Sequence, residues 1–216
     1  MDAQTVSFYE TRARDWVAQH RGVSSPAVQV CKIWLRPGCT ILDVGSGCGR
    51  DMAALQQEGF EVHGLEPAAA LIAEAEAAFP SLRGRIIRGS LPDDLPAHRV
   101  FSAVLCSAVL MHVPAQQRSE AVGALRRLLR PSGRAIVFVS TGRQVDPITH
   151  RDAEGRLFHE PPPEEIQSLF ELAGFRTRDR QSTIDRLSRS ELTWHIFVFE
   201  LPSPASGPRL NVGATG

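Results

Sequence analysis

The run Asp43-Val44-Gly45-Ser46-Gly47-Cys48-Gly49-Arg50-Asp51 constrains this chain more than any other feature. It follows the apolar stretch CTILDV at 39–44 and precedes a segment of helical period at 50–58. Glycines at three alternate positions remove side chains where the backbone must bend sharply, and they let a ligand lie against the main chain. A strand, a glycine turn and a helix together open a β-α-β unit whose site lies at the strand's carboxyl end.

The same alternation continues downstream. Strands are expected at 61–65, 85–91, 101–109 and 134–141, and helices at 68–79, 116–129 and from Pro163 to Gly174. Stretch 134–141 (RAIVFVST) is apolar on both faces and should lie inside the sheet. Two late β-rich stretches, 176–183 and 193–201, suggest an antiparallel hairpin at one sheet edge. Right-handed crossovers then give an α/β fold with a doubly wound, mostly parallel sheet.

With 216 residues and 43% hydrophobic content, the chain can fill one sizeable core but hardly two. Residues 1–38 are expected to form two short helices, near 5–20 and 25–35, that cover the site as a lid. Residues 39–201 form the main domain, and 202–216, rich in Pro, Gly and Ser, form a loose tail. The 24 basic residues balance 24 acidic ones, so nothing pulls the whole molecule toward nucleic acid or anionic lipid. No apolar run approaches membrane-spanning length, and the start lacks a signal-peptide layout, so a cytoplasmic location is expected. The cysteines at 31, 39, 48 and 106 form no C-x-x-C pair, and no metal site is expected. The oligomeric state is not legible in the sequence.

Two nucleotide motifs fail on inspection. A G-x-G-x-x-G fingerprint would need glycine at Arg50 or at Met52, and a Walker A loop would need a G-K-[ST] that is absent. The ordered set ILDVGSGCGRD, GLEP, GSLPDDLP, AVLCSAVLMHVP and LLRPSGRAIVFVS instead resembles the class I S-adenosylmethionine-dependent methyltransferases, small single-domain members of the methyltransferase-11/12 type. The resemblance runs from residue 39 to 141 and implies a seven-stranded Rossmann-like sheet, with S-adenosylmethionine as cofactor. PPPEEIQSLFELAGF is similar to the helix that leads into the terminal strand pair of many small members.

Under that resemblance the donor site comprises Tyr9, Asp43, Gly45, Ser46, Gly47, Glu66, Pro67, Ser90, Leu91, Cys106 and Ser107. Asp43 can attract an ammonium, and Glu66, 19 residues beyond Gly47, can accept both hydroxyls of a ribose. Ser90 and Leu91 stand where many relatives carry an acid facing adenine, so that charge is missing here. Cys106 should pack against the cofactor, because a thiol on an apolar strand without a basic partner keeps a high pKa. Arg14 or Arg50 is available for the donor's carboxylate.

The catalytic candidates are His112, beyond the fourth strand, and His150 and His159, in the titratable segment 142–162. Each has a plainer role open to it: a brace for His112, a solvated loop for the other two. No [DNS]-P-P-[YF] follows the fourth strand, which disfavours amino methylation of bases or glutamine. The expected activity is methyl transfer to a small-molecule acceptor by in-line displacement. The alternatives are methylation of RNA or protein, and a non-catalytic subunit that binds S-adenosylmethionine.

Overall fold

The computed structural model describes residues 2–96, 99–184 and 192–203. Most of the expected tail lies outside them. The elements are α1 (Ala3–His20), α2 (Pro26–Trp34), β1 (Thr40–Val44), α3 (Arg50–Gln57), β2 (Glu61–Glu66), α4 (Ala69–Ala78) and β3 (Ile86–Arg88). They continue with β4 (Phe101–Ser107), α5 (Arg118–Arg127), β5 (Leu129–Thr141), α6 (Pro163–Leu172), β6 (Arg176–Ile184) and β7 (Thr193–Glu200).

Local chemistry sets several helix starts. Asp2 caps α1 by accepting from the Thr5 amide at 2.9 Å. Ser25 caps α2, with Pro26 at the first helical position. In α6, Pro163 is followed by Glu164 and Glu165 in the first turn, where carboxylates favour the helix dipole.

The seven strands pair in the order β3-β2-β1-β4-β5-β7-β6. Strands β1 to β5 are parallel, and β7 runs antiparallel to both β5 and β6. The late pair is thus the edge hairpin that the sequence suggests, with β7 rather than β6 joined to β5. Alternation along the inner strands divides the core. Leu42, Val44, Val104, Cys106, Val137 and Phe199 pack toward α5 and α6; Ile41, Ala103, Leu105, Ile136 and Phe138 pack toward α2 and α3.

Two boundaries differ from expectation more than the rest. Strand β3 stops at Arg88, because the Gly89 amide turns to the Glu66 carbonyl (3.1 Å) and the Asp94 amide then closes on the Ser90 carbonyl (3.0 Å). Strand β5 starts five residues early. Leu129 pairs with Phe101 and Arg134 with Ala103, so the expected Pro131-Ser132-Gly133 turn persists as a bulge inside the strand.

The chain passes from β1 outward to β3 and returns across the sheet to β4. That reversal leaves a crevice above the carboxyl ends of β1, β2 and β4.

Candidate active site

The crevice is a cleft with about 830 Å³ of space, counting its open mouth. The glycine turn forms its floor. Gly45 and Gly47 adopt φ of 69° and 54°, a region that disfavours other residues. The amides of Gly45 and Ser46 both donate to the Leu65 carbonyl, at 2.7 and 3.1 Å, which pins the turn to β2.

Glu66 ends β2 and stands between the turn and α4. Its Oε2 accepts from the Gly47 amide and its Oε1 from the Ala68 amide, each at 3.0 Å. One lone pair on each oxygen stays available to an occupant. The residue is 4% exposed, and burial pushes its carboxyl up to about 7, against the two amide hydrogen bonds.

Asp43 is 3% exposed, and its carboxylate accepts no hydrogen bond among the described residues. Burial and the nearby Asp51 charge raise its pKa well above the usual carboxylate range. Asp51 is held by the Ser25 hydroxyl and the Arg50 guanidinium, both at 3.1 Å. The cleft therefore gathers three carboxylates against Arg50, and it also contains the buried Ser46 hydroxyl, which has no partner among the described residues. That balance suits an occupant with a cationic end and hydroxyl donors.

Tyr9, Trp16 and His20 of α1 line the upper side of the cleft. Tyr9 meets Trp16 edge-on at 5.1 Å, and Trp16 stacks on His20 at 4.1 Å. Glu10 fastens this helix by accepting from the Ala69 and Ala70 amides, both at 2.7 Å. It thereby caps α4, whose own cap position, Ala68, offers no side-chain acceptor.

The remaining wall is Ser107, Ala108, Val109 and His112, with Leu71, Cys48 and Trp194. His112 is buried, and its Nδ1 lies 2.6 Å from the Leu157 carbonyl. Burial lowers its pKa to about 4, so the ring is neutral near pH 7.

Of the residues singled out from the sequence, Tyr9, Asp43, Gly45, Ser46, Gly47, Glu66, Ser107 and His112 converge on this cleft, as does Arg50. Pro67, Ser90, Leu91 and Cys106 do not line it, and neither does Arg14, which is exposed on α1. Ser90 donates to Asp94 at 3.4 Å and Leu91 is buried beside the β3 edge. Cys106 points into the core, where burial pushes its thiol up to about 12.

His150 and His159 pack against each other at 4.2 Å, away from the cleft lining. The His159 amide donates to the Met111 carbonyl at 2.7 Å, so the pair sits behind the turn that carries His112. Burial and the neighbouring His150 lower the pKa of His159. Sequence reasoning missed His20, Asp51, Leu71 and Trp194 as lining residues. Asp51 was within reach, two residues past Gly49 in the first turn of α3; Trp194 reaches the cleft only because β7 pairs it with Ser140 of β5. Among the described residues no group of His, Cys, Asp or Glu is arranged to hold a metal, and no helix is long and apolar enough to cross a membrane.

Residues 41–133 match the family model described as a methyltransferase domain. Protein-L-isoaspartate O-methyltransferase from Methylorubrum extorquens is 33% identical over 116 residues, covering 52% of this chain and 47% of that protein. The chain thus spans about half the length of the curated relatives it matches. Among solved structures, 1,6-didemethyltoxoflavin-N1-methyltransferase from Burkholderia thailandensis, with bound 1,6-didemethyltoxoflavin and S-adenosylhomocysteine, superposes with a TM-score of 0.73 at 21% identity. The match covers 93% of this chain and 88% of that one. The [4+2]-cyclase SpnF reaches 0.70 at 16% identity, covering 94% and 97%. At such identities the likeness shows the fold alone, and the cyclase shows that this fold does not fix a reaction. The strand order and the glycine turn agree with the match over residues 41–133, so that stretch is similar to a methyltransferase domain and the chain shares the fold of the solved methyltransferases.

Proposed function

We propose that this chain binds S-adenosylmethionine in the cleft above β1, β2 and β4 and transfers its methyl group to a small-molecule acceptor. One observation carries the reading: Asp43 and Glu66, at the tips of adjacent strands, face one cleft floored by Gly45 and Gly47. Glu66 has lone pairs for two ribose hydroxyls, and Asp43 lacks the donor that an ammonium would supply. Arg50 is the cleft's guanidinium for a carboxylate.

The cofactor supplies a methyl group already activated by its sulfonium. The protein's part is to align the acceptor and exclude water, and such alignment can be worth roughly 7 to 11 kcal/mol of barrier. The α1 aromatics over the cleft serve that exclusion, which is why residues 1–38 are assigned the lid role. A cleft with Tyr9, Trp16 and His20 over it favours an acceptor small enough to lie beneath them.

Calorimetry on the full chain is expected to show S-adenosylhomocysteine binding in the micromolar range. Glu66→Ala should weaken it at least about tenfold, through loss of a charge-assisted pair of hydrogen bonds. Absence of binding to the native protein would overturn the proposal. The named activity of the curated relatives favours a second reading, methylation of a protein carboxylate. Labelled donor incubated with a cell extract separates the two: label in the small-molecule fraction supports the first, label in protein the second.

A further inference from the structure

Helix α1 and the segment after β5 meet at Leu157, whose two backbone groups face opposite ways. The Leu157 amide donates to Thr5 Oγ1 of α1 at 2.9 Å, and the Leu157 carbonyl lies 2.6 Å from His112 Nδ1. Thr5 is fully buried, and its hydroxyl proton is engaged elsewhere, donated to Asp2 Oδ2 at 2.8 Å. Its lone pairs therefore face Leu157.

Asp2 is itself fixed by Arg151, whose Nη1 and Nη2 donate to its two oxygens at 3.0 and 2.9 Å. Arg151 returns to Leu157 through a β-bridge, and Nη1 also donates to the Gly155 carbonyl at 2.7 Å. On the other side the His159 amide bonds the Met111 carbonyl, next to His112. The segment is thus fastened to α1 at one end and to the His112 turn at the other.

A carbonyl oxygen can only accept, so the imidazole nitrogen facing it must carry the proton. Burial keeps the ring neutral near pH 7, which leaves the remaining lone pair on Nε2. Among the described residues only Nδ1 of this ring is hydrogen-bonded, and His112 lines the cleft.

We infer that Thr5 is a positioning residue for the acceptor side of the cleft: through Leu157 it holds His112 as the Nδ1–H tautomer, which offers Nε2 to an occupant as a hydrogen-bond acceptor. The relay stands on the chain's own hydrogen bonds, whereas its link to an acceptor rests on the methyltransferase reading. The substrate class that follows is protic, with a hydroxyl or N–H hydrogen on the group that lies against Nε2. A hydroxyl-bearing or amine-bearing small molecule meets this requirement, and a fully substituted tertiary amine or a thioether does not.

The test is nitrogen NMR of the full chain labelled with 15N-histidine, near pH 7, with His112→Asn used to assign the ring signals. Native protein is expected to show the Nδ1–H pattern at His112. Thr5→Val keeps the side-chain shape but removes the acceptor for the Leu157 amide, and it should give a mixture of tautomers. Thr5→Ser should restore the native pattern, an outcome that packing alone would not produce. If Thr5→Val fails to melt cooperatively, Thr5→Ala takes its place.

An Nε2–H ring in the native protein, or an unchanged His112 signal once the Thr5 hydroxyl is gone, overturns the inference. S-adenosylhomocysteine affinity measured on the native samples separates this result from the reading it extends. Binding with the wrong tautomer defeats the relay alone, and the right tautomer without binding defeats the methyltransferase reading alone.

Discussion

Acidification from about pH 7.5 to about pH 5.5 is expected to weaken S-adenosylhomocysteine binding roughly 20-fold. Burial lifts the Glu66 carboxyl from 4.5 to about 7. Ribose hydroxyls donate to the ionised form, so below that value binding must first expel a proton, and each further pH unit costs about tenfold. Asp43, raised by burial and by Asp51, adds to the loss in the same direction, since an ammonium also favours its ionised form. Titrations in buffers of different ionisation enthalpy should report proton release on binding near pH 6.5. An affinity that stays flat over this range would remove Glu66 from the ribose.

Thermal stability of the protein alone should not mirror this trend, because Glu66 and Asp43 act on it in one sense and His112 in the other. Glu66 has a raised folded pKa, so its ionisation takes stability away as pH rises from about 4.5 to about 7. His112 has a folded pKa lowered from 6.5 to about 4, so it adds stability as pH rises across much of the same window. The shifts are of similar size and opposite sign. Binding reads the cleft carboxylates, and melting mixes them with His112.

Much of the fold was legible because its cues are local. The apolar runs, the glycine bends and Pro163 with its two acids each set an element within a few residues. Spacing placed Glu66 at the end of the second strand, since a β-α-β unit fixes how far beyond the turn that strand ends. Expectation and cleft lining part where strand parity or a distant partner decides. Cys106 and Ser107 are adjacent on β4, and neighbours on a strand face opposite sides, so both could not border the cleft. Cys106 aligns with Val44 and Val137 in the core, while Ser107 reaches the cleft at the strand end. Ser90 and Leu91 left the cleft lining because β3 stops early at Gly89. The state of His112 depends on a carbonyl 45 residues away, and no pattern around His112 signals it.

Gly45→Ala joins these levels and should abolish most donor binding. A methyl group built on Gly45 would lie 2.4 Å from Val109 Cγ2, and φ of 69° already disfavours any side chain there. Overpacking of this kind costs about 1–3 kcal/mol and the left-handed backbone about 1–2 kcal/mol. Val109 is branched at Cβ and buried, so it yields only by moving its backbone, which leads directly into the turn that carries His112. The turn would lift from the floor, and S-adenosylhomocysteine affinity should fall roughly 30- to 1000-fold, with a drop of several degrees in Tm. The double substitution Gly45→Ala with Val109→Ala removes the clash but keeps the backbone strain. It should recover about tenfold in affinity, while Val109→Ala alone costs little. Recovery to native affinity would assign the whole effect to the clash with Val109; no recovery would assign it to the backbone, with Gly45 required for its φ and not for the space above it.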